Sequence, residues 1–343
     1  VRIKDPYFHH GLKPNVETKA AWGPIIYPFS TNNLGFRDAS ARKVSLKKDK
    51  KQKKKRILIL GDSHSEGVGI LFEYPFTGRL QKMGEEKKTE ILNASAVSYS
   101  PKIHHLKADY LINNLGLKVD EIWVIVDISD LQNEIAYENF IPQKQTFKSK
   151  IIDRFSRFSK NHSFVIYALS DIIKNREIDK FQQTLRGFNE EVDALPNPNA
   201  IELYKDFFNH FDDESMLQNP DFHGVGEWIY DPSLRKLADK GLENGFENIA
   251  LLKQICNENN ILLRLSVHPW QTQVVKGDTT DYYVEKWRKF CDRENICFIN
   301  LFPVFINHEN PHYVNKVCYI EGDNHWNETG NQRVAAYLSV FLD

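Results

Sequence analysis

The segment 61–67, GDSHSEG, contains the first side chain in this sequence whose setting favours chemistry. An apolar run from Arg56 to Leu60 precedes it, and Gly61 permits a tight turn into a following helix. Ser63 would then present its hydroxyl at a strand-to-helix turn, where backbone N–H groups can stabilise a developing oxyanion. The simpler interpretation is that Ser63 only caps the helix.

The segment 321–330, EGDNHWNETG, offers the base that a serine nucleophile needs. A hydroxyl is a weak nucleophile until a base takes its proton. Asp323 lies two residues before His325 and could hold one imidazole tautomer while the other ring nitrogen faces Ser63. The alternative is an Asp/Asn-rich turn in which Asn327 caps the last helix. Taken together, the order and position of the two segments favour a Ser–His–Asp triad.

Five short β-type runs predict the sheet that would position these side chains. Several are continuously apolar, as strands buried on both faces are; the runs are 56–60, 90–93, 121–127, 261–267 and 296–301. Helical periods lie between them, so we expect a parallel sheet with helices on both faces. Ligands bind such sheets beyond the carboxyl ends of the strands, which is where both chemical segments fall.

Two additions surround this domain. Residues 1–55 are rich in Pro, Asn, Gly and aromatic residues and predict an irregular arm with a basic linker. The domain proper spans 56–343. More than a hundred residues separate its third and fourth predicted strands, which predicts a mostly helical insertion at about 131–239. This insertion could form a lid, a substrate platform or an interaction surface.

Composition limits the class of protein. The chain has 343 residues with 41% hydrophobic residues and a net charge of −1, which excludes a disordered or fibrous protein. A basic run at 37–56 carries a charge of +9 and the remainder −10. Because the run has no interleaved aromatic residues, we interpret it as a solvated loop and expect no nucleic-acid partner.

Cysteine content and the first residue bear on location. Four cysteines without CxxC spacing predict neither a disulfide framework nor a zinc finger. The sequence starts at Val1 and not at Met, so we expect a trimmed N-terminus, and a signal or membrane anchor could have been lost with it.

The two chemical segments resemble blocks of the SGNH/GDSL hydrolases. The residues 61–63 match the first block, and Asp323 with His325 match the last. Residues 93–101, NASAVSYSP, resemble the second block and 127–130, DISD, the third. The arm segment 31–37, TNNLGFR, resembles a subgroup found with surface-polysaccharide genes. The resemblance implies a three-layer α/β/α fold with a flavodoxin-like five-stranded sheet.

The same resemblance implies a role for each matched residue. Ser63 would be the nucleophile, His325 the base and then the acid, and Asp323 the orienting carboxylate. Ser98 replaces a glycine whose N–H lines the oxyanion hole, and Ser129 replaces an asparagine donor. Losing one such donor costs about a hundredfold or more in rate. The usual Asp-x-x-His is shortened to Asp-x-His, as in SGNH-like enzymes that O-acetylate alginate.

Three further residues follow predicted strands and face the same edge. Asp127 and Asp130 could bind sugar hydroxyls or position water, or they could serve only the turn. Trp270 could stack on a carbohydrate, or it could pack a proline-set loop. No ligand spacing supports a metal site, and no cofactor is expected.

These features predict a serine-dependent ester hydrolase that acts through an acyl-serine on an O-acylated substrate, with carbohydrate the favoured class. Two alternatives stay open. One is an O-acyltransferase of a surface polysaccharide, and the other is a catalytically weak carbohydrate-binding scaffold. A location in the cell envelope is favoured over the cytoplasm.

Overall fold

Five parallel strands form the central sheet of this computed structural model, which describes residues 1–23, 25–48, 54–143, 229, 230, 232, 234–306 and 310–342. The strands are β5 (Lys55–Leu60), β6 (Thr89–Asn93), β7 (Glu121–Val126), β8 (Leu262–Val267) and β9 (Cys297–Asn300). Their order across the sheet is β6-β5-β7-β8-β9, and every neighbouring pair is parallel. This is the flavodoxin-like order, so the predicted fold class is confirmed.

Helices cover both faces of the sheet. Alternate residues of one strand enter different cores: Leu58 and Leu60 pack in one cluster, Ile57 and Ile59 in the other. The helices of the first face are α3 (Pro101–Asp109), α4 (Asp130–Ala136), α5 (Arg235–Asn259) and α7 (Tyr282–Glu294). Those of the second are α2 (Phe76–Glu86), α8 (Phe302–Phe305), α9 (Pro311–Cys318) and α10 (Glu328–Leu338). The three predicted layers are therefore present.

Two short helices lie at the carboxyl edge of the sheet. They are α1 (Ser63–Glu66), which follows β5, and α6 (Gln271–Lys276), which follows β8. A π-helical turn, Tyr110–Asn114, extends α3, and a 3₁₀ turn, Ser339–Phe341, extends α10. The strand order reverses between β5 and β7, so the expected ligand crevice opens where α1 and the segment after β7 meet.

The N-terminal arm is regular over residues 2–30, and the prediction of an irregular arm was wrong for this part. It forms two antiparallel hairpins, β1 (Arg2–Asp5) with β2 (His9–Leu12) and β3 (Glu17–Trp22) with β4 (Ile25–Ser30). Tyr27 and Phe29 alternate with exposed neighbours and pack inward on Ala96, Tyr99 and Ile103. The interspersed Pro and Gly residues concealed this short period in the sequence.

The arm segment 31–37 is tied to the turn after β5. Arg37 is buried and donates to the backbone carbonyls of Glu66, Gly67 and Ile70. Asn32 accepts from two N–H groups of its own turn and donates to Asp38 at 2.9 Å. The arm thus fixes the segment that carries Ser63.

Most of the predicted insertion at 131–239 lies outside the described residues, as do residues 49–53 of the basic run. Its two ends are helical, since α4 begins at Asp130 and α5 begins at Arg235. Among the described residues, no helix is long and apolar enough to cross a membrane.

Candidate active site

Ser63 is the first residue of α1, directly beyond the carboxyl end of β5. The helix cap is Asp62, whose carboxylate accepts from the His64 N–H at 2.9 Å. The helix ends after one turn at Gly67, where φ is +78°. Ser63 therefore does not serve as the cap, and its hydroxyl is left for other contacts. It is 7% exposed.

A continuous hydrogen-bonded chain joins Ser63, His325 and Asp323. The Ser63 Oγ lies 2.7 Å from Nε2 of His325, and Nδ1 of His325 contacts Oδ1 of Asp323. The same oxygen accepts the His325 backbone N–H at 2.8 Å. Burial raises the pKa of Asp323, but the neighbouring His325 outweighs it and the net pKa is lowered. Asp323 is thus held as the carboxylate that orients the imidazole.

The loop before α10 sets this geometry through its backbone. Ile320 N–H donates to the His325 carbonyl at 2.8 Å and closes the loop around Asp323. Asn327 caps α10 by accepting from Thr329 and Gly330. The turn-and-cap interpretation of this segment and the triad interpretation are therefore compatible.

Trp22, at the end of β3 in the arm, also belongs to this site. Its indole N–H donates to Oδ2 of Asp323 at 2.7 Å. Its ring meets the His325 ring edge-on, with centroids 4.8 Å apart. The two partners are 301 residues apart in sequence, and no sequence signal pointed to the contact.

A second buried polar group adjoins the triad. We call it the inner cluster: Asp62, His64, Asp127 and His268. His64 stacks on His325 with ring centroids 4.6 Å apart, so the two groups share a wall. Burial and the charge of Asp62 raise the pKa of Asp127 to about 6. Burial, with the charge of His64, holds the pKa of His268 well below its ordinary value. Sequence reasoning missed His64 and treated His268 only as part of a loop.

The serines of the second and third sequence blocks, Ser98 and Ser129, have different contacts. Ser98 has a φ of +61°, the left-handed conformation that a glycine would adopt freely, and its carbonyl accepts from Tyr137 at 2.9 Å. Ser129 donates both its hydroxyl and its N–H to Oδ1 of Asp127, at 2.6 and 2.7 Å. The expected oxyanion donor is thus engaged in the turn after β7, because its short side chain reaches the nearest carboxylate.

Asp127, Asp130 and Trp270 are brought together but are not open to a ligand as expected. Both carboxyls are buried, at 1% and 2% exposure. Asp130 begins α4 and accepts the Asp127 N–H, and burial raises its pKa well above the ordinary value. The half-buried Trp270 donates its indole N–H to Oδ2 of Asp127 at 2.8 Å. The turn and packing interpretation therefore accounts for Asp130 and Trp270, whose contacts here are with Asp127.

No protein-family model matches this chain, and no curated protein does. Solved structures similar to it include LAE5, an alpha/beta hydrolase from the metagenome of Lake Arreo, at 11% identity and a TM-score of 0.40, covering 84% of this chain and 96% of that one. A GDSL-like lipase from Bacteroides thetaiotaomicron has 10% identity and a TM-score of 0.38, with 87% and 91% covered. A catalytic mutant of Axe2, an acetylxylan esterase from Geobacillus stearothermophilus, has 9% identity and a TM-score of 0.40, with 83% and 92% covered. Values this low say nothing of the reaction, so function has to be inferred from the side chains of this chain.

Proposed function

We propose that this protein is a serine-dependent acyl-ester hydrolase of the SGNH type, acting through an acyl-serine. The observation that carries the proposal is the 2.7 Å separation of Ser63 Oγ and His325 Nε2, with the opposite ring nitrogen on Asp323. Nucleophile, base and orienting acid are each within hydrogen-bond reach of the next, which is the geometry that activates a serine.

The reaction would proceed in two displacements. Ser63 Oγ forms a bond to the acyl carbon while Nε2 of His325 takes its proton. The tetrahedral intermediate collapses, the carbon–oxygen bond to the alcohol breaks, and His325 returns the proton to the leaving oxygen. Water then attacks the acyl-serine with His325 again as base, and the acid and free Ser63 are released.

Oxyanion stabilisation would come from backbone N–H groups. The N–H of Ser63 and that of Ser98 are the proposed donors, since Ser98 stands where the resembling block has its glycine and has a left-handed backbone that glycine adopts freely. Ser129 gives its hydroxyl to Asp127 and is left out of this set. An oxyanion hole with one donor fewer predicts slow turnover of simple esters.

The substrate class we favour is an O-acylated carbohydrate in the cell envelope. Support comes from the arm segment 31–37, which resembles the surface-polysaccharide subgroup and is tied to the Ser63 turn through Arg37. Transfer of the acyl group to a sugar hydroxyl in place of water is the alternative within the same mechanism. Following a labelled acetyl group with and without an oligosaccharide acceptor separates hydrolysis from transfer.

The test of the proposed chemistry is replacement of the nucleophile. Ser63→Ala should abolish turnover of an aryl acetate and labelling by an organophosphonate, while the exposed Ser40→Ala leaves both unchanged. An unchanged rate in Ser63→Ala would remove Ser63 from the mechanism. Failure of the wild-type chain to react with the phosphonate would favour the catalytically weak scaffold, against which the short Ser63–His325 distance now weighs.

A further inference from the structure

The inner cluster gathers four ligand-type side chains from three adjacent strands. Asp62 and His64 follow β5, Asp127 follows β7 and His268 follows β8. Their exposures are 5%, 2%, 1% and 0%. One ligand-type atom from each of the four lies within 4.8 Å of the other three. Because β5, β7 and β8 are neighbours and parallel, the sheet itself brings these groups together.

The atoms that face one another in the cluster are not hydrogen bonded. Nδ1 of His64 and Nε2 of His268 are fully buried, and neither has a hydrogen-bond partner among the described residues. Nδ1 of His64 lies 3.6 Å from Oδ2 of Asp62 and 3.4 Å from Oδ2 of Asp127. Nε2 of His268 lies 3.5 Å from the same Asp127 oxygen. An imidazolium bonded to a carboxylate would close to about 2.7–2.9 Å, so a shared proton does not account for these separations.

A shared cation does account for them. Zinc binds nitrogen and oxygen ligands at about 2.0–2.1 Å, and tetrahedral angles then place two ligand atoms about 3.3–3.4 Å apart. In both histidines, the ring nitrogen that faces away from the cluster lies near a backbone carbonyl. Nε2 of His64 lies 3.0 Å from the Asn324 carbonyl, and Nδ1 of His268 lies 3.4 Å from the Pro269 carbonyl. A carbonyl at that position accepts a hydrogen bond from the ring N–H, and the inward nitrogen then has the lone pair that binds a metal, as in metal-ligating histidines.

The two acidic side chains of the cluster also favour a bound cation. Asp62 and Asp127 are both buried, with carboxylate oxygens within 4.8 Å of each other, and burying two acids side by side is costly unless a cation lies between them. Trp270 and Ser129 donate to Asp127, but both donors are neutral. A divalent cation would cancel the charge.

We propose that Asp62, His64, Asp127 and His268 bind one divalent transition-metal cation, with zinc the best match. Two imidazole nitrogens and two carboxylate oxygens suit zinc, whereas calcium and magnesium prefer more ligands and oxygen alone. Four protein ligands make a closed, structural site. The cation would join the ends of β5, β7 and β8. Through His64 and the Asn324 carbonyl it would also hold the loop that carries Asp323 and His325. The site would bind its cation whether or not Ser63 is a nucleophile.

Cobalt titration of the chelator-treated, metal-free chain tests the site directly. We expect one Co²⁺ per chain with the visible absorption of tetrahedral coordination, displaced by one equivalent of Zn²⁺ and unaffected by Mg²⁺ or Ca²⁺. Zinc should also raise the thermal midpoint of the metal-free chain, because a cation that binds only the folded state stabilises it. Absence of stoichiometric cobalt binding, or displacement by Mg²⁺, would overturn the proposal.

Ligand variants locate the metal. His268→Gln and the nearly isosteric Asp127→Asn should each weaken cobalt affinity by on the order of a hundredfold or more, since losing even a residue that only hydrogen-bonds to a metal ligand costs about ten- to a hundredfold. The exposed His312→Gln is the control and should bind as the wild type does. Circular dichroism of each variant establishes that it is folded. Wild-type affinity in folded Asp127→Asn or folded His268→Gln would place the ion elsewhere and refute the assignment.

Discussion

The triad and the inner cluster share a wall, yet their polar atoms are arranged in opposite ways. In the triad, each ring nitrogen of His325 has one partner, Ser63 on one side and Asp323 on the other. In the inner cluster, the inward nitrogens of His64 and His268 lie 3.4–3.6 Å from carboxylate oxygens and form no hydrogen bond with them. The triad is therefore a chain of hydrogen bonds along which a proton can move, whereas the cluster directs two imidazole nitrogens and two carboxylates at one another without hydrogen bonds.

His325 and His64 are in contact, yet their different hydrogen-bond partners give them different roles. His325 takes both its partners from side chains, so its protonation can change during a reaction. His64 has its outer nitrogen, Nε2, at the Asn324 carbonyl and its inward nitrogen, Nδ1, facing two carboxylates. Position beside the nucleophile alone does not make a base.

The largest expected difference is between replacing His325 and replacing His64, the two stacked histidines. His325→Gln removes the base and should lower kcat/KM for an aryl acetate by about ten-thousandfold. His64→Gln leaves the Ser63–His325 contact in place and should cost far less, on the order of tenfold, while lowering the thermal midpoint. Steady-state kinetics and calorimetry measure both. Equal losses in kcat/KM would show that the cluster belongs to the proton path.

Asp323→Asn tests the orienting end of the triad. An amide in place of the carboxylate can no longer stabilise the imidazolium, and it can stabilise the wrong tautomer of His325. We expect kcat to fall by about a thousandfold or more with little change in KM. A loss that appears mainly in KM would show that Asp323 shapes substrate binding instead.

The sequence predicts those parts of this arrangement whose pattern lies within a few neighbouring residues. The five strands lie within one or two residues of the predicted runs, because strands buried on both faces are continuously apolar over a short window. Ser63 and Asp323 with His325 were found from local spacing next to turn residues. The hairpins of the arm were missed because Pro and Gly interrupt their alternation.

The rest of the site depends on contacts between residues that are far apart in the sequence. Asp62 and Asp127 meet because β5 and β7 are neighbours in the sheet, and His268 joins them only because β8 comes next. The Trp22 contact with Asp323 depends on how the arm packs. Such pairs follow from strand order and docking, which a single sequence does not display.

Lys107 is a third kind of buried ionisable group, distinct from those of the triad and of the inner cluster. Burial lowers the pKa of its amine to about 7, against the opposing charges of Asp5 and Glu66. Its pKa lies at neutral pH, so the amine can lose its charge there. Its Nζ lies 2.7 Å from the Ala94 carbonyl and 2.9 Å from the Tyr99 hydroxyl.

The sign of the resulting pH dependence follows from proton counts. Between pH about 7 and 10.5, unfolded Lys107 holds a proton that the folded form has released, so raising the pH favours the folded state. Relative to Lys107→Met, the wild-type free energy of unfolding should rise by about 2 kcal/mol from pH 7 to 9. Urea unfolding measures it, with the exposed Lys82→Met as control. Parallel pH profiles for wild type and Lys107→Met would contradict a lowered pKa.

The smallest predicted effect tests whether the arm takes part in the triad. Trp22→Phe keeps the ring beside His325 but removes the N–H that binds Oδ2 of Asp323. A hydrogen bond to a charged group contributes about 1.5 kcal/mol, so kcat should fall about tenfold with KM nearly unchanged. Trp123→Phe is the matched control, because its indole also donates to a carboxylate at 2.7 Å, that of Glu121, away from the site. If both substitutions lower kcat alike, the loss reflects stability; if only Trp22→Phe does, the arm positions the catalytic acid.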